Sequence, residues 1–251
     1  MPSPASRSQS GFTLVELSIV LVVIGLLLGG VIIGKDMIRS AQLRSVVTDA
    51  QAYLAAARLF QDKYNCIPGD CMNATTFFSG VTNGNGDGNI QDPSLAGGAG
   101  ERYGIWQHLA LAGYIPGNYT GRAGPSFPYD AVIGTNVPAS RLPITGWDFW
   151  YGGTQSGNSI LYNGTYGNVI FAGGRYSNGT LISPILSPAE TYAIDLKVDN
   201  GIPGTGTVRT MYGTSAPNCS TSGSVNTIPD ASAYNVTYTG IACQLIFITG
   251  W

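Results

Sequence analysis

An α+β fold, with a long N-terminal helix packed on an antiparallel β-sheet head, is predicted by three observations. Residues 12–34 are apolar with a single charge. Apolar residues then recur at helical spacing as far as residue 64. Beyond that the chain turns rich in Gly, Ser, Thr, Asn and Tyr and breaks into short strand-like runs. At 251 residues the chain can build one medium domain with its own core plus an extra element. Its net charge of −2 gives no basic field, so no nucleic-acid partner is expected. The 35 glycines would suggest disorder without aromatics. They come with 14 Tyr and 4 Trp, which points to a folded, loop-rich head.

The first element is the apolar helix. Residues Met1 to Ser10 are small and polar with one cation, Arg7, and Gly11 follows. From Phe12 to Gly34 the only charge is Glu16. A helix over this stretch is about 34 Å long, enough to cross a bilayer core of about 30 Å. A cleaved secretory signal would be shorter and would end, not begin, at its small-residue cleavage site. Here the polar segment and Gly11 precede the apolar run, so cleavage there leaves the run on the mature chain. An acid in a membrane span costs a few kcal/mol and needs a partner, or it must snorkel to water. Gly25, Gly29, Gly30 and Gly34 form two small-xxx-small spacings that allow close helix–helix approach. Glycine is also simply common in such helices, and each interior Gly costs about 1 kcal/mol against Ala, so the further alternative is local melting of the helix here on leaving a membrane.

The helix is expected to continue through residues 35–64 without Pro or Gly. Leu43, Val46 and Val47, Ala50, Tyr53 and Leu54, Ala57, Phe60 and Tyr64 make an apolar stripe, with Arg44, Asp49, Arg58 and Asp62 between. Asn65-Cys66-Ile67-Pro68-Gly69 ends it. The expected organisation is therefore a leader over residues 1–11, a helix over 12–64 and a head over 65–251.

Gly11-Phe12-Thr13-Leu14-Val15-Glu16 resembles the cleavage and methylation motif of type IV pilins and type II secretion pseudopilins. The resemblance covers residues 11 to about 64. It implies that a prepilin peptidase cuts after Gly11, that the new N-terminal Phe12 is N-methylated, and that Glu16 of one subunit neutralises Phe12 of a neighbour during assembly. It further implies a single-pass protein of the inner membrane with its head in the periplasm. An assembly platform would then move it into an extracytoplasmic filament of pilin or pseudopilin subunits. Many major subunits carry a proline where this chain has Ile33. That difference and the large head favour a minor or specialised subunit. The alternative role is a tip-located adhesin or DNA-uptake subunit, which the Tyr-rich head suits for sugars but the missing basic cluster disfavours for DNA.

The head supplies the remaining elements. Residues 101–112 read as a short helix with Ile105, Trp106 and Leu109 inward, closed by Gly113. Ser187-Pro188-Ala189-Glu190 reads as a capping box starting a helix to about Asp199. Strands are expected over 147–151, 160–162, 168–172, 207–212, 234–238 and 241–249, with Asn163-Gly164 as a hairpin turn. Four cysteines allow three pairings, and Cys66–Cys71 with Cys219–Cys243 are the local ones favoured here. A zinc site is the rival, without a Cys-x-x-Cys and with the only histidine, His108, distant in sequence.

Asn83, Asn85, Asp87 and Asn89 alternate with glycines and resemble the first half of a calcium loop, although position twelve is Ser94 rather than Glu. Asp92 or Glu101 could complete such a site, and some pseudopilins bind calcium in the head. The other reading is a Gly/Asn turn. No catalytic constellation emerges, so an enzyme is not predicted. His108 is expected at a surface or half-buried position, and Asp195 with Asp199 on a solvated helix face. The Asn-x-Ser/Thr triplets at Asn73 and Asn163 are taken as incidental.

Overall fold

The computed structural model describes residues 11–94, 97–158, 160–211, 218–221 and 232–251. The chain forms two compact units, one reaching to Gln42 and one running from Leu43 to Trp251. Helix α1 (Leu14–Tyr64) contributes to both.

In the first unit the apolar side chains of α1 are exposed along the whole run, from Leu14 through Ile38. It is the one helix among the described residues long and apolar enough to cross a membrane. The helix persists through Gly25, Gly29, Gly30 and Gly34 despite their cost in propensity. An apolar surrounding favours this, because every backbone polar group must then be satisfied within the segment.

In the second unit α1 becomes a core element. Val46, Ala50, Ala57 and Phe60 are buried, with Leu43, Val47, Tyr53, Leu54 and Tyr64 packed beside them. Their spacing of three and four residues puts them on one face. Asn65 adopts a left-handed conformation at φ 53° and ends the helix before Pro68.

That face packs on the head through aromatic contacts. Tyr53 meets Trp106 at 5.0 Å and Trp147 at 5.7 Å between ring centroids. Trp106 lies on α3 (Glu101–Leu111), after the short α2 (Ala74–Phe77). Trp147 lies on β1 (Thr145–Gln155), which pairs antiparallel with β2 (Gly164–Gly174). Helix α4 (Pro188–Val198) follows, then β3 (Val208–Thr210) and β4 (Leu245–Ile248). The sheet order is β1-β2-β4-β3, with every pairing antiparallel. The architecture is the α+β, pilin-like arrangement of a long apolar N-terminal helix and a four-stranded sheet.

Both predicted head helices form. Ser187 and Glu190 exchange side-chain and main-chain hydrogen bonds at the start of α4. Two predicted strands do not form. Over 160–162 the side-chain oxygen of Asn158 accepts the N–H groups of Ile160 at 2.8 Å and Leu161 at 3.0 Å, so a turn consumes the donors a ladder needs. Over 234–238 the chain makes one bridge, at Ser220–Tyr234, and then turns back on itself through Tyr238 N–H to Asn235 C=O. The hairpin therefore joins β1 to β2 through residues 156–163, and Asn163 closes it by accepting the Gly157 N–H at 2.8 Å. Tyr212, the end of another predicted strand, lies outside the described residues.

Cys66 is joined to Cys71, and Cys219 to Cys243. The first bridge ties the end of α1 to the loop that follows. The second ties β4's leading segment to the chain beyond β3.

Candidate functional site

The first candidate is the start of α1. Phe12 is 82% exposed and Glu16 is exposed one turn into the helix. Thr13 and Glu16 form a capping box. The Thr13 N–H and hydroxyl both donate to Glu16 Oε2 at 2.8 Å, and the Glu16 N–H donates to Thr13 Oγ1 at 3.3 Å. Its sequence signal is a Thr-x-x-Glu preceding an apolar run, which the sequence reading above does not use. The box satisfies helix donors that would otherwise lack partners and places the carboxylate next to Phe12. Glu16 thus has a local partner in the isolated chain, and its acceptor lone pairs are not exhausted.

The four glycines of this helix are open. Among the described residues, nothing comes within 4 Å of a Cβ placed on Gly25, Gly29, Gly30 or Gly34. Within the single chain these positions form a narrow, uncovered helix surface.

The second candidate is the loop over residues 83–92 and the acids around it. The alternating oxygens serve the backbone. Asn83 Oδ1 accepts the Thr75 N–H at 2.9 Å, Asn85 Oδ1 the Asp87 N–H at 2.9 Å, and Asp87 Oδ1 the Asn89 N–H at 2.8 Å. Only Asp87 of the four stands in an acidic group. Its companions are Asp70 and Glu101, with one carboxylate oxygen of each within 4.8 Å of the others. Asp70 accepts the N–H groups of Gly86 at 2.5 Å and Gly88 at 2.8 Å, while Glu101 accepts those of Asn85 at 2.9 Å and Gln91 at 3.0 Å. These three acids are the ones that could hold a hard cation such as calcium. Each bonded oxygen of Asp70 and Glu101 keeps one lone pair for it.

Burial pushes the Glu101 carboxyl up to about 7, against the pull of its two main-chain donors, with Asp70 adding to the rise. Near neutral pH a proton thus relieves part of the crowding. Asp70 follows the Cys66–Cys71 bridge and carries no local sequence signal. Its position depends on close backbone approach: a Cβ on Gly84 would lie 2.3 Å from Asp70 Cα, and one on Gly69, at φ 91°, would lie 2.4 Å from the Glu101 carbonyl oxygen.

Two residues expected near solvent are buried instead. His108 is 0% exposed, stacked at 5.9 Å on Phe60, and its Nδ1 accepts the Gly69 N–H at 2.9 Å. That bond fixes the neutral form, and burial lowers the imidazole to about 4. Asp195 is also fully buried, accepting the Tyr234 hydroxyl at 2.8 Å and the Gly201 N–H at 3.2 Å. Burial lifts it to about 6. Neither burial is visible in the local sequence, because the partners, Gly69 and Tyr234, come from distant segments. Each side chain has a structural partner.

Residues 6–32 match the family model of the prokaryotic N-terminal methylation motif, the signature of type IV pilins and pseudopilins. No curated protein and no solved structure matches the chain.

Proposed function

We propose that this protein is a structural subunit of a type II secretion pseudopilus or type IV pilus. It is held in the inner membrane by residues 12–34, with its head in the periplasm. A prepilin peptidase cuts after Gly11, Phe12 is N-methylated, and the assembly platform moves the subunit into a filament of its relatives. The observation that carries this reading is the motif Gly11 to Glu16 at the head of a helix long enough to span a membrane.

The chemistry of assembly follows from the helix start. Cleavage creates an ammonium on Phe12. In an apolar filament core that charge and Glu16 are each costly alone and much less so together. Thr13 holds the carboxylate at the helix start, where a neighbour's ammonium can meet it. Gly25, Gly29, Gly30 and Gly34 let neighbouring helices approach closely. Ile33 in place of a proline and the large head support a minor or specialised role over the bulk shaft.

The test is incorporation. Glu16→Ala, expressed in the native host, is expected to stay in the membrane fraction while the native chain appears in sheared filaments. Equal recovery of both from filaments overturns the pairing. Labelling of those filaments is expected to place the subunit at few positions per filament, and dense labelling along the shaft contradicts the specialised role.

A further inference from the structure

The two disulfides stand in different surroundings. Cys219 and Cys243 are both 0% exposed. Cys243 exchanges main-chain hydrogen bonds with Leu186, and Cys219 Sγ lies 3.3 Å from the buried Thr210 hydroxyl. Thiol–disulfide exchange needs a thiolate to reach a sulfur, so this bridge is shielded in the folded head. Cys71 is buried as deeply, but its partner Cys66, at the end of α1, is only half-buried. Of the four cysteines, Cys66 alone reaches solvent. An attacking thiolate thus meets Cys66, and Cys71 is the departing sulfur.

The reduced state has a partner waiting for that sulfur. Cys71 Sγ lies 3.4 Å from Asn73 Oδ1. A thiol can donate to this oxygen, whereas a disulfide sulfur has no proton to give.

The bridge governs more than its own ring. It closes residues 66–71, and inside that ring the Asp70 N–H donates to the Ile67 carbonyl at 3.1 Å. The same short segment reaches two other parts of the head. The Gly69 N–H donates to His108 on α3 at 2.9 Å. The Asp70 carboxylate accepts the N–H groups of Gly86 at 2.5 Å and Gly88 at 2.8 Å, and the Cys71 carbonyl accepts that of Gly84 at 2.9 Å. Alternate N–H groups of the loop, at 84, 86 and 88, therefore end on two adjacent residues of the ring. Residues 83–92 contain no helix or strand, so these bonds do the work that a ladder does elsewhere.

We propose that Cys66–Cys71 is an exchange site for a dithiol, and that its opening releases the loop over residues 83–92 while Cys219–Cys243 and the sheet stay intact. One thiolate of the dithiol attacks Cys66 Sγ. The Cys66–Cys71 bond breaks, and Cys71 leaves as a thiolate that takes a proton from water. The second thiolate then attacks the dithiol's own bonded sulfur, and Cys66 leaves in turn. Two electrons pass to the bridge, and the dithiol becomes a disulfide. The reverse exchange closes the ring and docks the loop. The acidic group is thereby tied to redox state, because Asp70 is the member that the ring carries. The proposal does not rest on the filament role, because it concerns the head alone.

The test uses the full-length, oxidised protein in detergent, treated with dithiothreitol without denaturant and then with N-ethylmaleimide. Peptide mass mapping is expected to find the label on Cys66 and Cys71 and none on Cys219 or Cys243. Hydrogen exchange over residues 83–92 is expected to accelerate by about thirtyfold on reduction, the closure entropy of a ring at separation 5, with β1 and β2 unchanged. Reoxidation restores the protection. Cys66→Ala with Cys71→Ala should show the fast loop without reductant and no response to it. If that variant does not fold, reduction of the native chain decides. Both bridges opening together, both resisting, or an unchanged loop after Cys66 and Cys71 are labelled overturns the proposal.

Discussion

Phe60 gives the sharpest test of how α1 is built into the head. Its ring is 0% exposed, 4.4 Å from Tyr64, 5.9 Å from His108 and 6.1 Å from Phe78 between centroids. Phe60→Ala removes the ring from a site walled by helix, histidine and loop, which cannot readily collapse. A buried Phe→Ala change of this kind costs about 3–5 kcal/mol. For a head of this size each kcal/mol moves Tm by roughly 2–4 °C, so a fall of about 10 °C is expected. Leu59, one position earlier, is 53% exposed. Leu59→Ala sits on a surface where changes stay within about 0.5 kcal/mol, or about 2 °C. Thermal unfolding of both variants, followed by near-UV circular dichroism, reads the difference. A fall below about 3 °C for Phe60→Ala, or equal shifts for the two variants, would refute the assignment of the buried face.

The disulfides should differ in worth, because the loops they close differ. Chain-entropy arguments give about 3.5 kcal/mol for Cys219–Cys243, at separation 24, and about 2 kcal/mol for Cys66–Cys71, at separation 5. Paired Cys→Ala variants in denaturant should rank in that order. Ser187→Ala removes the capping box of α4 and should cost about 1 kcal/mol, seen as a small fall in denaturation midpoint. His108 sits near 4 in the fold against an ordinary 6.5, so its contribution is complete above pH 6.5 and is lost as pH falls toward 4. His108→Asn, which keeps an acceptor for the Gly69 N–H, should flatten that acid limb in a Tm-versus-pH series. Glu101 acts in the opposite sense. Its folded value near 7 lies above the ordinary 4.5, so its contribution declines as pH rises from about 4.5 to 7 while that of His108 grows; the Tm difference between the native chain and Glu101→Gln should therefore fall over this window, and a difference that rises contradicts the crowding of Asp70, Asp87 and Glu101.

What could be read from the sequence was local. The apolar run, the stripe Val46-Ala50-Ala57-Phe60 and the Ser187–Glu190 box are periodic or fixed-offset patterns, set by backbone geometry within one element. The strands that failed, over 160–162 and 234–238, have apolar composition but lose their backbone donors to Asn158 and to local turns. Apolar content marked burial, since Leu161, Tyr162 and Tyr234 are all buried, without marking strand. At the loop, Asp87 was legible because its neighbours alternate, whereas Asp70 was not. Asp70 joins Glu101 only through the close approach of Gly69 and Gly84. The depth of His108 and Asp195 depended equally on distant partners.

The measurement that bears most directly on the central claim is mass spectrometry of the N-terminal peptide from the native host, taken from membrane and sheared-filament fractions. The account predicts a mature chain beginning at Phe12, one methyl group heavier than the unmodified peptide, present in the filament fraction. A chain that still begins with the residues before Gly11, one cut behind the apolar run, or an unmethylated chain found only in the membrane would contradict it.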